Sequence, residues 1–334
     1  MQQVAINGLG RIGRLALRQL LTAPGVELVA VNDLADAATL AHLLKYDSVH
    51  GQWPIPVAVD GNDLLLDRHR IRVFNEAHPS RIPFGASGAQ VVLECTGAFT
   101  HRTDAAAHLR EGVSHVLISA PAEDADRTVL LGVNEGSLNP VRDRILSAAC
   151  STTQCLAPVV KVLDDAFGLE YGFMTSVHSY TNEQRILDLP HEDLRMARAA
   201  TLSMIPVDTA AAEIVGRLLP HLKGRLNGLM VHVPTPDVSL LDLTATLRTD
   251  ITLEAIHEAF QQAATEGPLA PCLDVLQAEL VSVDLVGTAA SAHYDPFLTK
   301  LLGPRMVKVF AWYDNEFAYA ARLKDLCLHL LERL

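Results

Sequence analysis

A chain of 334 residues is too long for one ordinary hydrophobic core and long enough for two. Its hydrophobic (49%) and charged (20%) fractions are those of a globular protein, and its net charge of −12 argues against a nucleic-acid or other polyanion surface. No apolar run approaches a membrane span, the opening MQQVAINGLG lacks the basic and apolar regions of a signal peptide, and five cysteines without paired spacing give no disulfide framework, so a cytoplasmic, reducing setting is expected.

The first half alternates short β-rich runs with helical patterns. Val4–Asn7 reads as a strand, 11–21 as a helix with Leu15, Leu17, Leu20 and Leu21 as its apolar positions, and Val26–Asn32 as the next strand. Further runs at 91–94, 115–119, 128–133 and 144–147 continue the alternation, which predicts parallel strands joined by right-handed crossovers. Beyond about position 150 the pattern changes. A helix is expected over 155–167, followed by long strands at 171–180, 226–233, 238–247 and 307–313 with few helices between them. That arrangement predicts an α+β unit with a mostly antiparallel sheet. The segment 316–334 reads as an amphipathic helix carrying Leu323, Leu326, Leu330 and Leu334 on one face. The expected division is a Rossmann dinucleotide-binding domain over 1–149, a catalytic or substrate domain over 150–314, and a C-terminal helix over 315–334.

The most informative local pattern is Gly8-x-Gly10-x-x-Gly13, after the first strand and at the opening of the first helix. The first glycine permits the tight turn, the second lets the backbone approach a pyrophosphate, and the third lets helix pack on strand. Arg11 and Ile12 complete the turn, at a helix end whose amides and dipole favour phosphate. Asp33 closes the second strand, where an acid bonds the ribose hydroxyls and repels an added 2′-phosphate. The expected cofactor is therefore NAD rather than NADP, and no metal is expected.

Longer stretches carry a family resemblance. INGLGRIGR (6–14), NDLADAATLAHLLKYDSVHG (32–51), STTQCLAP (151–158), VHSYTNEQRILDLPHEDLR (177–195), HVPTPDVS (232–239) and YDNEF (313–317) together resemble the phosphorylating glyceraldehyde-3-phosphate dehydrogenases nearly end to end. The resemblance implies a homotetramer whose C-terminal helix returns to the NAD-binding domain. It implies that Asn315 contacts the nicotinamide amide and that Thr96, Gly97 and Ser119 line the cofactor cleft. Leu34 and Pro190 look like the residues that favour NAD in that family, and His178 matches its catalytic histidine.

The departures from the family pattern carry as much information. The family's mechanism needs a cysteine nucleophile at a helix N-terminus, in a motif reading Ser-Cys-Thr-Thr-Asn-Cys. Aligned without gaps, this chain reads Cys150-Ser151-Thr152-Thr153-Gln154-Cys155, with a hydroxyl where the thiol should be and the thiol one place earlier. In a helical turn that displacement swings a side chain by about 100°. An alcohol is hardly ionised near neutrality, whereas a thiol with a pKa of about 8.5 is easily activated. The arginines expected at the phosphate sites are His232 and Met196, and the Ser/Thr-Thr-Gly loop reads Asp208-Thr209-Ala210. Its Val-Asp-Thr also resembles the erythrose-4-phosphate dehydrogenases. Ala210 is expected to cost backbone freedom there. Thr181 and Thr209 remain to hold the substrate.

Several functions fit this pattern. The chain is an NAD-dependent oxidoreductase acting on an altered, less anionic aldehyde or alcohol, with His178 as acid or base, Ser151 bonding the carbonyl oxygen, and His232, Thr181 and Thr209 shaping the pocket. Alternatively it keeps the family reaction with Cys150 as nucleophile after a register change. A non-catalytic NAD-binding sensor or tetramer partner is a third reading, and a hydrolase built on Ser151 and His178 a fourth.

Overall fold

The computed structural model describes residues 1–334. The chain divides into two compact units, one made of Met1–Leu130, Gly136–Cys150 and Ala320–Leu334, the other of Leu131–Glu135 and Ser151–Tyr319. No helix is long and apolar enough to cross a membrane.

The first unit is a Rossmann fold. Its elements run β1 (Gln2–Asn7), α1 (Arg11–Leu20), β2 (Val26–Asn32), α2 (Ala37–Lys45), a small β3 (Tyr46–Asp47) and β4 (Gly51–Gln52) ribbon, β5 (Val57–Asp60), β6 (Asp63–Leu66), β7 (His69–Phe74), β8 (Val91–Glu94), α3 (Arg102–Ala105), β9 (His115–Ile118), β10 (Arg127–Thr128) and β11 (Ile145–Ser147). They form one nine-stranded sheet in the order β10-β11-β9-β8-β1-β2-β7-β6-β5. The strands from β10 to β7 in that order pair in parallel, and β5–β7 form an antiparallel edge. Burial explains the parallel centre: Val4, Ala5, Ile6, Val91, Val92 and Leu93 are wholly inaccessible, as strands covered on both faces must be. The chain order reverses about β1, whose neighbours are β2 and β8, so the crevice at the ends of β1 and β8 is a topological switch point. The run at 128–133 yields only the two-residue β10, because the chain turns at once and Gly132 adopts a left-handed φ of +79°. The C-terminal helix packs with this unit, and Gln2 Nε2 donates to the Leu331 carbonyl at 2.5 Å.

The second unit contains α4 (Ser151–Phe167), β12 (Leu169–Ser179), β13 (Ile205–Asp208), α5 (Ala211–Leu218), β14 (Leu226–Val233), β15 (Ser239–Leu247), α6 (Leu253–Thr265), β16 (Leu273–Val275), β17 (Ala292–Leu302), β18 (Met306–Tyr313) and the start of α7 (Phe317–Leu331). Its sheet runs β13-β14-β12-β15-β18-β17-β16. Four pairings are antiparallel, while β12–β14 and β16–β17 are parallel, so the sheet is mostly antiparallel. β15 buries every second side chain, the alternation of a strand with one covered face. α4 opens four residues earlier than its apolar pattern predicts: Thr152 and Thr153 are fully buried, and their hydroxyls give no hydrophobic signal. It stops at Gly168, whose φ of +70° and N–H to the Asp164 carbonyl make a left-handed helix cap.

Candidate functional site

The glycine loop of the first unit separates two demands on the same turn. A Cβ on Gly8 would stand 2.8 Å from the Thr96 nitrogen, and one on Gly13 only 1.9 Å from the Gly8 carbonyl oxygen. Both glycines are therefore required by the protein's own backbone. A Cβ on Gly10 would meet nothing within 4 Å, so no protein atom needs that residue bare. Gly10 is also the N-cap of α1 and provides no side-chain cap. An uncrowded glycine at a helix entry, at the switch point of a parallel sheet, fits the close approach of a dinucleotide pyrophosphate. Asp33 supports the same loop, its Oδ2 accepting the Leu9 N–H at 2.8 Å and its Oδ1 the Ala35 N–H at 3.0 Å. The Arg11 guanidinium is turned to Asp47 at 2.6 Å. Against the cost of burial, the His50 amide and Arg11 hold Asp47 down to about 2. Ile12 is half-buried and Gly97 has a φ of +72° that favours glycine.

Sequence reasoning passed over Glu94, which organises this region. Its Oε1 accepts the Thr96 N–H at 2.9 Å and the Thr96 hydroxyl at 2.5 Å. Its Oε2 accepts Asn7 Nδ2 at 2.6 Å and His108 Nε2 at 3.0 Å. Four donors on one buried carboxylate tie the end of β1 to the loop after β8. The only signal was a charged residue closing an otherwise apolar run, VVLE. Ser119, just after β9, is half-buried beside Cys95, and burial pushes the Cys95 thiol up to about 12 against a hydrogen bond with Ser119.

The step from β11 into α4 is a tight turn. Ala149 takes a left-handed φ of 57°, a conformation that costs a non-glycine residue about 1–2 kcal/mol. Cys150 follows, half-buried, and Ser151 is the first residue of the 17-residue helix. The hydroxyl, not the thiol, thus stands in the first turn, at the positive end of the helix dipole. Cys155, one turn on, is fully buried and its thiol is pushed well above its ordinary range by desolvation.

Tyr313, at the end of β18, anchors the second residue of α4. Its hydroxyl is hydrogen-bonded to Thr152 Oγ1 at 2.9 Å and to Ser176 Oγ at 2.7 Å. Ser176 and His178 point to one face of β12, and the His178 ring lies 6.0 Å from the Tyr313 ring. The parallel register of β12 and β14 sets His178 directly beside His232, with ring centroids 5.2 Å apart. Both imidazoles donate from Nδ1 to one acceptor, the Ser179 carbonyl, at 2.7 and 3.1 Å. A carbonyl cannot donate, so each ring carries its proton on Nδ1 and presents Nε2 as a lone pair. Burial, reinforced by His232, lowers the His178 pKa to about 4 despite the Ser179 carbonyl. Burial also lowers His232, against the Ser179 carbonyl and the charge of Glu183. Both rings are therefore neutral near pH 7.

The remaining candidates lie in the same unit. The Thr181 amide donates to Gln184 Oε1 at 2.9 Å. Thr209 Oγ1 accepts the Ala211 N–H at 3.2 Å, one residue ahead of the Ala210 N-cap of α5. Ala210 has φ −80° and ψ −1°, an ordinary right-handed conformation, so the expected loss of backbone freedom does not occur. Asp208 is exposed and Met196 buried. Asn315 is buried and accepts the Ser239 hydroxyl at 2.7 Å. Asp237, also missed from sequence, has its carboxyl pushed up by burial and by the charges of Asp314 and Glu316.

Comparisons with known proteins identify the family. Residues 2–102 match the family model "Glyceraldehyde 3-phosphate dehydrogenase, NAD binding domain", and residues 149–315 match "Glyceraldehyde 3-phosphate dehydrogenase, C-terminal domain". The chain is 49% identical over 331 residues to a glyceraldehyde-3-phosphate dehydrogenase of Geobacillus stearothermophilus and to glyceraldehyde-3-phosphate dehydrogenase 1 of Bacillus subtilis, in each case over 99% of this chain and 98% of the relative. It is 44% identical over 333 residues to the enzyme of Streptomyces coelicolor, over 99% of both chains. The cofactor is NAD. With both family models matched and the identity sustained from end to end, the chain belongs to the glyceraldehyde-3-phosphate dehydrogenase family.

Proposed function

We propose that this NAD-binding member of the family is an oxidoreductase that moves hydride to or from a carbonyl carbon without forming a thioester, on a substrate less anionic than a triose phosphate. The observation that carries the reading is the hydroxyl of Ser151 at the first position of α4, with the thiol of Cys150 ahead of the helix. When bound, NAD supplies the hydride acceptor. In the oxidising direction the substrate's C–H electron pair leaves as hydride, its hydroxyl proton passes to His178 Nε2, and the C=O bond forms. The Nδ1–H bond to the Ser179 carbonyl holds the ring in the tautomer that accepts this proton. Ser151 donates to the substrate oxygen, aided by the helix dipole.

His232 and Met196 stand where the resemblance expects guanidinium groups. Losing two charged contacts at about 1.5–3 kcal/mol each weakens phosphate binding by about 10²–10⁴-fold. A neutral His232 with Glu183 acting on it favours a hydroxyl or other uncharged group instead. Thr181 and Thr209 complete that pocket. The Cys150 reading and the non-catalytic reading are outcomes of one experiment. Purified chain with NAD is assayed over a panel of uncharged aldehydes and alcohols, and with glyceraldehyde 3-phosphate plus inorganic phosphate. Turnover of the uncharged panel that survives iodoacetamide supports the proposal. Phosphate-dependent turnover abolished by labelling of Cys150 refutes it, and tight NAD binding with no turnover makes the chain a sensor or tetramer partner.

We also propose a homotetramer in the cytoplasm. Ile186, Leu187, Leu194, Leu202 and Met204 are exposed along one segment, and Tyr171 and Phe173 on the outer face of β12. So much uncovered apolar surface in an isolated chain supports self-association. Sedimentation equilibrium reads the mass directly, and a monomer at micromolar concentration refutes the tetramer.

A further inference from the structure

We propose that Ser239 is the positioning residue of the nicotinamide subsite: its hydroxyl fixes which end of the Asn315 amide is presented, and ties that amide to the backbone of the residue whose carbonyl holds the two imidazoles. The inference rests on the reading that Asn315 faces the nicotinamide amide. It concerns a residue for which the family resemblance gave no role.

Two independent sets of bonds hold Asn315. Its backbone is fixed by Asp314, whose Oδ1 accepts the Glu316 N–H at 2.9 Å and the Phe317 N–H at 2.6 Å, and whose Oδ2 accepts the Gly287 N–H at 2.7 Å. What this leaves free is the side-chain torsion that exchanges Oδ1 and Nδ2, two nearly isosteric ends. Ser239 removes that freedom. The antiparallel register of β15 and β18 pairs it with Tyr313, two residues before Asn315, and it is 1% exposed. Its Oγ accepts the Ser179 N–H at 3.1 Å and donates to Asn315 Oδ1 at 2.7 Å. One lone pair of Oγ takes the Ser179 N–H, and the hydroxyl proton goes to Asn315 Oδ1. Oδ1 is then committed to the protein, and Nδ2 is the end left for a ligand carbonyl.

The same serine is held from behind. The Ser179 hydroxyl donates to the Val238 carbonyl at 3.1 Å, so the two segments clasp each other through Ser179 N–H and Oγ–H together. Val238 has a left-handed φ of 64°, rare for a β-branched residue. Asp237 Oδ1 accepts its N–H at 2.9 Å and supports the bend. The backbone of Ser179 therefore does three things. Its carbonyl orients His178 and His232, its N–H orients Ser239, and through Ser239 it orients Asn315. The backbone of one residue sets both the base and the group expected to hold the nicotinamide.

The test compares NAD with ADP-ribose, which lacks the nicotinamide ring, by titration calorimetry on the full chain. Ser239→Ala is expected to weaken NAD by about three- to tenfold, the loss of one oriented hydrogen bond, and to leave ADP-ribose within about twofold. Ser239→Thr keeps the hydroxyl and restores the preference for NAD. Should the alanine variant fail to fold, Ser239→Cys, near in size and a weak donor, is read in its place. Equal weakening of both ligands overturns the proposal, since a merely structural serine would disturb both. So does an unchanged NAD affinity in Ser239→Ala when Asn315→Ala loses its preference for NAD. If Asn315→Ala keeps that preference, the placement of Asn315 at the nicotinamide fails, and the proposal with it.

Discussion

Replacing Gly10 and Gly13 separately with alanine divides ligand binding from folding within one turn. A Cβ on Gly13 would sit 1.9 Å from the Gly8 carbonyl oxygen and 3.0 Å from its carbon. That oxygen belongs to backbone held at φ +91°, so α1 must retreat from β1. The retreat loosens the packing of Leu15, Leu17 and Leu20, all buried, and overpacking of this kind costs about 3 kcal/mol or more. Gly10 behaves oppositely. Its φ of −65° and ψ of −163° suit any residue, and its Cβ meets no protein atom. Alanine there gains up to about 1 kcal/mol from a stiffer unfolded chain and gives back a similar amount as a poorer N-cap. Stability should therefore stay within about 1 kcal/mol of the parent. Binding should not: a methyl in the path of the pyrophosphate removes about two amide–phosphate bonds at 1.5–3 kcal/mol each, about 10²–10⁴-fold in Kd. Thermal unfolding followed by circular dichroism and calorimetry with NAD read the two quantities. If Gly10→Ala binds NAD within threefold of the parent, or Gly13→Ala unfolds at the parent's midpoint, the assignment of the loop is wrong.

Other expectations bear on the second unit and on Asp33. His178, at about 4 when folded against 6.5 in its ordinary state, binds fewer protons folded than unfolded between those values. Stability is therefore fully present above pH 6.5 and falls as pH drops through the window, by about 3 kcal/mol at pH 4. His178→Gln should flatten urea-derived stability against pH by about one proton there, and parallel curves would contradict the burial argument. Ser151→Cys with His232→Arg should raise turnover of glyceraldehyde 3-phosphate with phosphate, the arginine alone contributing about 10–150-fold in KM. No gain over the parent would mean that the hydroxyl and the imidazole are not what withholds that reaction. Asp33→Ala should weaken NAD by about tenfold or more, because it removes a ribose acceptor and releases the Leu9 N–H. An unchanged affinity would remove Asp33 from the cofactor site.

The parts legible in the sequence were those whose causes are local. The alternation of short strands and helices predicted the parallel sheet, and the spacing from Gly8 to Asp33, within one βαβ segment, predicted NAD. The gap-free alignment put a hydroxyl where the family motif has its thiol, but the apolar pattern opened the helix only at 155, and Ser151 as the first residue of α4 came from the structure. Elements without a clean apolar period were passed over. α2 rests on an Asp36 side-chain cap that accepts the Thr39 N–H at 2.7 Å, and β5–β7 form a partly exposed edge. Ala210 shows the converse error. Expecting a loss of backbone freedom there overlooked that its right-handed φ is set by entry into α5.

By itself the sequence determined the fold class, the family and the cofactor, because glycine geometry, hydrophobic period and helix polarity act over a few neighbouring residues. Only the tertiary structure decided that His178 and His232 share the Ser179 carbonyl, that Glu94 gathers four donors, and that Ser239 faces Asn315. Apart from the neighbours His178–Ser179 and Glu94–Thr96, the partners lie from 14 to 87 positions apart in the chain. Periodicity assigns each to a face of its strand, but which residues stand opposite one another is fixed by strand order and register, and these follow from packing the whole sheet at once.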